Sequence, residues 1–407
     1  MYLAYIFLFV TVSAFPTGRV EVVFPSVETS RSGVKTVKFR AFDKDVELQL
    51  EPAGDILAED FALYIGNHEK DHSFDVESVR RSLYRDSANG AALVIDDDEQ
   101  PPSIEGFVLP NLSITPHEWK VIIEDGKRAH RVEKQTSDTN SYLSDKIILP
   151  DFQREMVNFT RIDRDDQCIV IEILSVTERI VTDYFERNTT LVRTISRLYL
   201  MAQNLYDSMD LGIKFRLSGA ILFTKETEPP FFESNELKED KLLNGDATLR
   251  DIKNYFCENP TSSTENADII MLFLGRYMKI LNADGSTGGL FTGVAYSGTV
   301  CHSCKKIGVI SYVRSLFENF KAIAIEALAH ETAHLLGVPH DGDPPEETGV
   351  SGSPGAKSCP FKDGFFMGRN KGVNRDIFSK CSKDCAKYLL SKPEASCVYE
   401  ECKSPRY

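Results

Sequence analysis

Apolar and polar residues follow two rhythms along this chain. Between residues 15 and 160, short alternating runs (Val34–Phe39, Val46–Leu50, Ala91–Ile95, Gly106–Leu109 and Val121–Ile123) are separated by polar turns. A period of two turns one strand face inward and leaves the other in water, so this part is expected to be mostly β. The acidic run Asp96–Glu99, followed by Pro101-Pro102, reads as a solvated loop. Beyond residue 165 the rhythm changes. Ile169–Val176 and Ile269–Leu274 are unbroken apolar runs of strand length, the pattern of strands covered on both faces. Ile213–Phe223 reads as another strand, and the Gly-rich Gly288–Ser297 as an edge strand. Leu191, Ile195, Leu198 and Leu205 give Leu191–Tyr206 helical spacing, and Thr248–Phe256 and Ile377–Leu390 read as further helices. Phe320–Leu336 is apolar nearly all round, which predicts a fully buried helix. Strands alternating with helices make this half α/β.

The buried helix runs into the strongest chemical signal in the chain. His330-Glu331-Thr332-Ala333-His334-Leu335-Leu336-Gly337-Val338-Pro339-His340-Asp341 fits the zinc pattern H-E-x-x-H-x-x-G-x-x-H. Residues i and i+4 stack on one helix face, so His330 and His334 can offer imidazole nitrogens to one ion. Glu331 lies about 100° further round, placed to hold a water without being a ligand. Gly337 can adopt the left-handed conformation that ends a helix and brings His340 back as the third ligand. Three protein ligands leave a fourth position open, which is a catalytic rather than a structural arrangement. The chain also contains His68-Glu69-Lys70-Asp71-His72, with the same H-E-x-x-H spacing but no Gly and no third His. Charged neighbours and the preceding Gly66-Asn67 turn mark it as a solvated loop.

Composition narrows the setting. Residues 2–14 are almost wholly apolar, the length of a secretory signal core and too short to span a bilayer, although no Lys or Arg precedes them. No later apolar run is long enough for a membrane span, and two domains are expected for the remainder. A net charge of −14 and the lack of a basic block argue against a nucleic-acid partner. All nine cysteines lie at or after Cys168, so residues 165–402 read as a disulfide-stapled, exported domain. Nine is odd, and Cys168, remote from the rest, is the expected unpaired one. Cys301-His302-Ser303-Cys304 is expected to contribute to separate structural disulfides rather than to redox chemistry. Sequons at Asn111, Asn158 and Asn188 are candidate glycosylation sites. Calcium is conceivable at the acidic run, but no clear motif supports it.

These residues resemble the reprolysin (adamalysin-like) branch of the metzincin metalloproteases, and are similar to secreted salivary metalloproteases of ticks. The zinc motif ending in His340-Asp341, the strand Ile169–Leu174, Gly288–Gly298 with Thr299-Val300-Cys301, and Phe378–Ser382 carry the likeness. It extends loosely to Ser82-Leu83-Tyr84 and Ile104–Pro116, which look like a reprolysin prodomain. With the apolar start read as a signal peptide (1–14), the resemblance makes the mostly β part (15–160) prodomain-like and residues 165–402 a catalytic domain. In that domain it implies a mixed sheet, an active-site helix and a small C-terminal subdomain. It also implies a methionine turn flooring the metal site, for which Met367 is the candidate, although Phe365 stands where relatives usually carry a Cys. Such prodomains often cap the zinc with a cysteine thiolate. With no Cys before residue 168, latency here would need steric cover, a carboxylate or a His. The chain ends soon after Cys402, so no disintegrin-like domain is expected.

The expected protein is therefore a secreted endopeptidase with one catalytic Zn²⁺ on His330, His334 and His340 and with Glu331 as general base. It would act on extracellular proteins or peptides laid along Gly289–Ala295 as an added antiparallel strand. The loop 341–366 would wall the pocket, and the resemblance implies an apolar side chain just after the scissile bond. Arg128–Arg131 offers a dibasic-type processing site, or else a strand of the prodomain. The alternative is a catalytically silent pseudoenzyme that binds host proteins. The intact Glu331 speaks for the enzyme.

Overall fold

The structure, a computed structural model, describes residues 19–66, 69–109, 111–117, 122–134, 145–150, 167–237, 242–281, 286–312, 320–368 and 372–402. The stretch Tyr2–Ala14, His68, Val121 and Asn158 lie outside the described residues. The alternating first part forms an antiparallel nine-stranded sheet. Lys35–Ala41 and Lys44–Pro52 form its longest hairpin, and Ala91–Asp96, Ser103–Leu109 and His130–Lys134 are among its other members. The expected pattern of burial is visible in Lys44–Pro52, where Val46, Leu48 and Leu50 point inward and their neighbours outward. One helix there, Val76–Ser82, escapes the sequence pattern; Asp75 caps it by accepting from the Ser78 amide.

The second sheet is mixed and holds the site. Its main strands are β1 (Leu57–Ile65), β2 (Asp145–Ile148), β3 (Gln167–Thr177), β4 (Lys214–Leu222), β5 (Ile269–Leu274), β6 (Gly293–Tyr296) and β7 (Ile307–Ser311). Their spatial order is β2-β6-β7-β5-β3-β4-β1, with the short strand Glu69–Lys70 beyond β1. Among these seven, only β6 runs antiparallel to its neighbour β7; β2 pairs parallel with β6, and β1 parallel with β4. Two segments from the first 150 residues therefore close the α/β sheet at its opposite ends. The central strands β3 and β5 carry Ile, Val and Leu on both faces because helices cover them.

Four helices matter for the site: α1 (Asn188–Asp207), α2 (Gly245–Glu258), α3 (Phe320–Leu335) and α4 (Lys380–Leu390). From Ala324 onward helix α3 is buried on every side apart from the half-covered Glu326, so its stability comes from packing rather than from an amphipathic stripe. The Tyr206 hydroxyl of α1 donates to the Ala329 carbonyl at 3.0 Å, tying the two helices. One contiguous core contains Leu57, Leu63, Leu83 and Phe107 from the first part together with Ile171, Ile195, Phe273 and Leu328 from the second. Polar contacts cross the same boundary: buried Arg197 meets Glu105 at 2.8 Å, and Arg193 meets Asp96 at 2.7 Å. The acidic run is thus largely engaged by cations, with Asp97 on Lys35 and Glu99 on Arg128.

Several expectations need correction. Gly288–Ser297 is not one edge strand. It breaks at Thr292 into Thr287–Phe291, which belongs to a small separate sheet, and β6, which is flanked by β2 and β7. Cys168 is paired with Cys402, where Tyr399–Glu401 lies antiparallel to the start of β3; the free thiol is Cys385, buried on α4. Cys301 and Cys304 do enter separate disulfides, with Cys397 and Cys257. Arg128–Arg131 lies where His130 is buried and paired between two neighbouring strands, a poor place for a protease to cut. Asn111 is exposed, whereas Asn188 begins α1 half-buried beside Asp71.

Candidate active site

Helix α3 ends as its sequence requires. Gly337 sits at φ +72° and its amide donates to the His334 carbonyl at 2.8 Å, while the Val338 amide reaches Ala333. A Cβ at residue 337 would also crowd Val350 at 2.9 Å. Helix-end carbonyls are also bonded from outside: Gly298 donates its amide to the same His334 carbonyl at 2.8 Å, and Val300 to that of Leu335 at 3.1 Å. The chain then reverses and brings His340 back over His330 and His334, with ring centroids 4.6 to 5.2 Å apart.

Four donor atoms converge at this point. The Nε2 atoms of His330, His334 and His340 and the carboxylate of Asp145 all lie within 4.8 Å of one another. Asp145 Oδ2 is 2.9 Å from His334 and His340 and 3.3 Å from His330, and the His330 and His340 Nε2 atoms are 3.2 Å apart. A tetrahedral ion with ligands at about 2.0–2.1 Å needs donors about 3.3 Å apart, close to this set. The tautomers fit as well. His334 Nδ1 faces the Val338 carbonyl at 2.8 Å, which can only accept, so Nδ1 carries the proton and Nε2 turns its lone pair inward. His340 Nδ1 faces Asp343 at 3.3 Å in the same sense. The donor set therefore suits a resident divalent metal.

Burial and the nearby carboxylates act differently on the two imidazoles. Burial pushes His334 down to about 4, leaving it neutral and free to ligate. Burial also opposes charge on His340, but the Asp145 and Asp343 carboxylates outweigh it and raise that imidazole to about 9. Glu331 is fully enclosed; burial, with the Asp145 charge added, lifts its carboxyl well above the usual range. Its Oε2 has no hydrogen-bond partner among the described residues, and its carboxylate packs on the β6 backbone at Gly293. A Cβ at residue 293 would lie 2.0 Å from Glu331 Oε1, so any other residue there must displace that carboxylate.

Asp341 turns away from the three imidazoles. Its carboxylate accepts from Ser379 Oγ at 2.5 Å, and Ser379 caps α4 by accepting from the Ser382 amide. Burial raises Asp341 to about 6 despite that bond. Met367 is fully buried and its carbonyl accepts the Asp341 amide at 3.1 Å; the ring beside His330 is that of Phe366, at 6.1 Å. In the other H-E-x-x-H stretch, His72 is an exposed turn residue, and Glu69–Lys70 is a short exposed strand rather than loop alone. Asp145, Asp343, the Val338 carbonyl and Gly293 are not among the residues the sequence points to. Asp343, three residues past His340, carries a local signal; Asp145, nearly two hundred residues away, carries none.

A mixed α/β sheet with a buried H-E-x-x-H helix and a third histidine beyond a left-handed glycine defines a metallopeptidase site. The chain belongs to the reprolysin-like metallopeptidases: residues 192–341 match the family described as Metallo-peptidase family M12B Reprolysin-like, and near full-length relatives agree. It is similar to a metalloproteinase of Tityus obscurus, 54% identical over 382 residues that cover 92% of this chain and 98% of the relative. It is 44% identical over 402 residues, 98% of each chain, to the venom metalloproteinase antarease TserMP_A of Tityus serrulatus. Venom metalloproteinase BumaMPs1 of Olivierus martensii is 34% identical over 403 residues, again 98% of each. The chain is thus a metalloprotease, and the family implies zinc as its metal. Among the described residues no helix is long and apolar enough to cross a membrane.

Proposed function

We propose that this metalloprotease is a secreted endopeptidase acting on extracellular proteins, with His330, His334 and His340 holding one zinc and Glu331 moving the proton. The convergence of three imidazole Nε2 atoms beside a buried carboxylate with one unpartnered oxygen carries this reading. Zinc bound there would acidify water and polarise the scissile carbonyl. Glu331 accepts the proton of the attacking water and later delivers it to the leaving amine. A carboxyl raised by burial suits both halves of that task. Val338 and Asp343 hold two of the imidazoles in the ligating tautomer. The substrate backbone lies antiparallel along β6, and the segment 341–366 walls a pocket for the apolar side chain after the scissile bond. Met367 and Phe366 support the site from the core, and Asp341 locks the end of the histidine motif to α4.

The first 150 residues act as a prodomain in this reading. Export is supported by the apolar residues 2–14 and by the likeness to venom metalloproteinases. The test is cleavage of an unstructured peptide by the processed protein, with zinc content measured in parallel. Glu331→Ala is expected to keep zinc but lose roughly 10²–10⁴-fold in rate, because general acid–base help is gone. His334→Ala is expected to lose zinc and activity together. Full-rate cleavage by Glu331→Ala would sink the mechanism, and a processed protein that cleaves nothing would favour the binding pseudoenzyme.

A further inference from the structure

We infer that Asp145 is an internal fourth ligand of this metal site, and that the strand it begins, β2, is a built-in blocker of the substrate groove. The inference rests on the metal site proposed above and adds the device that keeps it silent. Three independent observations converge. The first is ligand geometry: both Asp145 oxygens lie 2.9–3.0 Å from His340 Nε2, Oδ2 is 2.9 Å from His334, and the side chain is only 8% exposed. A carboxylate is an ordinary zinc donor, and here it stands where the open position of a catalytic site would be.

The second observation is strand pairing. β2 lies parallel to β6 in the register Asp145↔Gly293 to Ile148↔Tyr296, and the Ser297 amide donates to the Ile148 carbonyl at 3.0 Å. It therefore occupies the backbone edge that a substrate strand would use. Its polarity is the reverse of an antiparallel substrate, so its own peptide bonds are presented backwards and escape cleavage. Lys146 anchors the strand to Asp246 in the first turn of α2, and Ile148 packs on the core that includes Val294 and Tyr296. The third observation is chemical: residues 1–167 hold no cysteine, so no thiolate from this part can serve as the cap.

Together these make one latch with two functions. The carboxylate takes the place of water at the metal, and the strand takes the place of substrate. A tethered ligand of this kind acts at an effective concentration on the order of mM, so a small competitor must displace it before reaching the metal.

The test uses the full chain carrying Glu331→Gln, which cannot process itself, loaded with Co²⁺. Metal stoichiometry, the visible Co²⁺ absorption and the affinity for acetohydroxamate are compared with Asp145 intact, Asp145→Asn and Asp145→Ala. With Asp145 intact, hydroxamate should bind at least ~10-fold more weakly than in either variant, because the tethered carboxylate competes. Both substitutions should also change the cobalt spectrum. One cobalt per chain with identical spectra and hydroxamate affinities in all three proteins overturns the ligand role of Asp145 and leaves the metal site standing. Failure to bind one cobalt, or full binding after His334→Ala, overturns the metal site and this inference with it.

Discussion

Gly293→Ala isolates the contact between β6 and Glu331, the proposed general base. In the native structure the Gly293 backbone faces the Glu331 carboxylate, and a Cβ at that point would lie 2.5 Å from Glu331 Cδ and 2.7 Å from Cγ. The nearest atom is Oε1, at 2.0 Å, so restoring an ordinary contact of 3.4 Å requires the carboxylate to retreat by about 1.4 Å. Gly293 has no positive φ, so alanine brings no backbone strain and the whole effect is steric. Misplacing a catalytic group by about 1 Å costs on the order of 10²-fold in rate. Overpacking should lower stability by only about 1–3 kcal/mol. The assay is kcat/KM on an unstructured peptide for the processed protein, with zinc content and Tm alongside. The account predicts a loss near 10²-fold with zinc retained. Activity within about twofold of the unmodified protein would refute the placement of Glu331, and loss of zinc would show that the effect runs through the histidines.

Three other outcomes follow from the same structure. Burial holds His130 near 4 against its ordinary 6.5, so the folded chain stays neutral there while the unfolded chain takes up a proton. The His130 contribution is full above pH 6.5 and falls by about 1.4 kcal/mol per pH unit toward pH 4, about 3 kcal/mol in all. Urea midpoints between pH 7 and pH 4 should thus fall less steeply in His130→Gln, and parallel profiles would contradict this. Thiol titration should find one reactive cysteine in denatured chain and none in native chain, because Cys385 is enclosed and burial raises its thiol. Three thiols would mean that a disulfide in the structure does not form. N-terminal sequencing of the active form should begin between residues 149 and 167, since a cut must separate β2 from β3 to release Asp145. A start at Arg128–Arg131 would leave Asp145 attached and contradict the latch.

What the sequence discloses and what it hides divides along contact range. The histidine motif is legible because its geometry is local: three to four residues per helical turn, then one glycine at φ +72°. The continuous runs Ile169–Val176 and Ile269–Leu274 are legible because a strand covered on both faces leaves no polar interruption. β1 is hidden because exposed Glu59 and Asp60 break its apolar run just where the strand is uncovered. The break at Thr292 is hidden because two sheets share one alternating stretch. Asp145 leaves no trace in spacing, since its partners lie 189 and 195 residues further along. The choice of Cys168 as the free thiol fails for the same reason: its partner, Cys402, is 234 residues away.

The most direct measurement of the central claim is anomalous diffraction at the zinc absorption edge from crystals of the full chain. The account predicts one strong peak per chain, about 2.0–2.1 Å from the Nε2 atoms of His330, His334 and His340. No peak among these three imidazoles, or one at His68 and His72 instead, would contradict it.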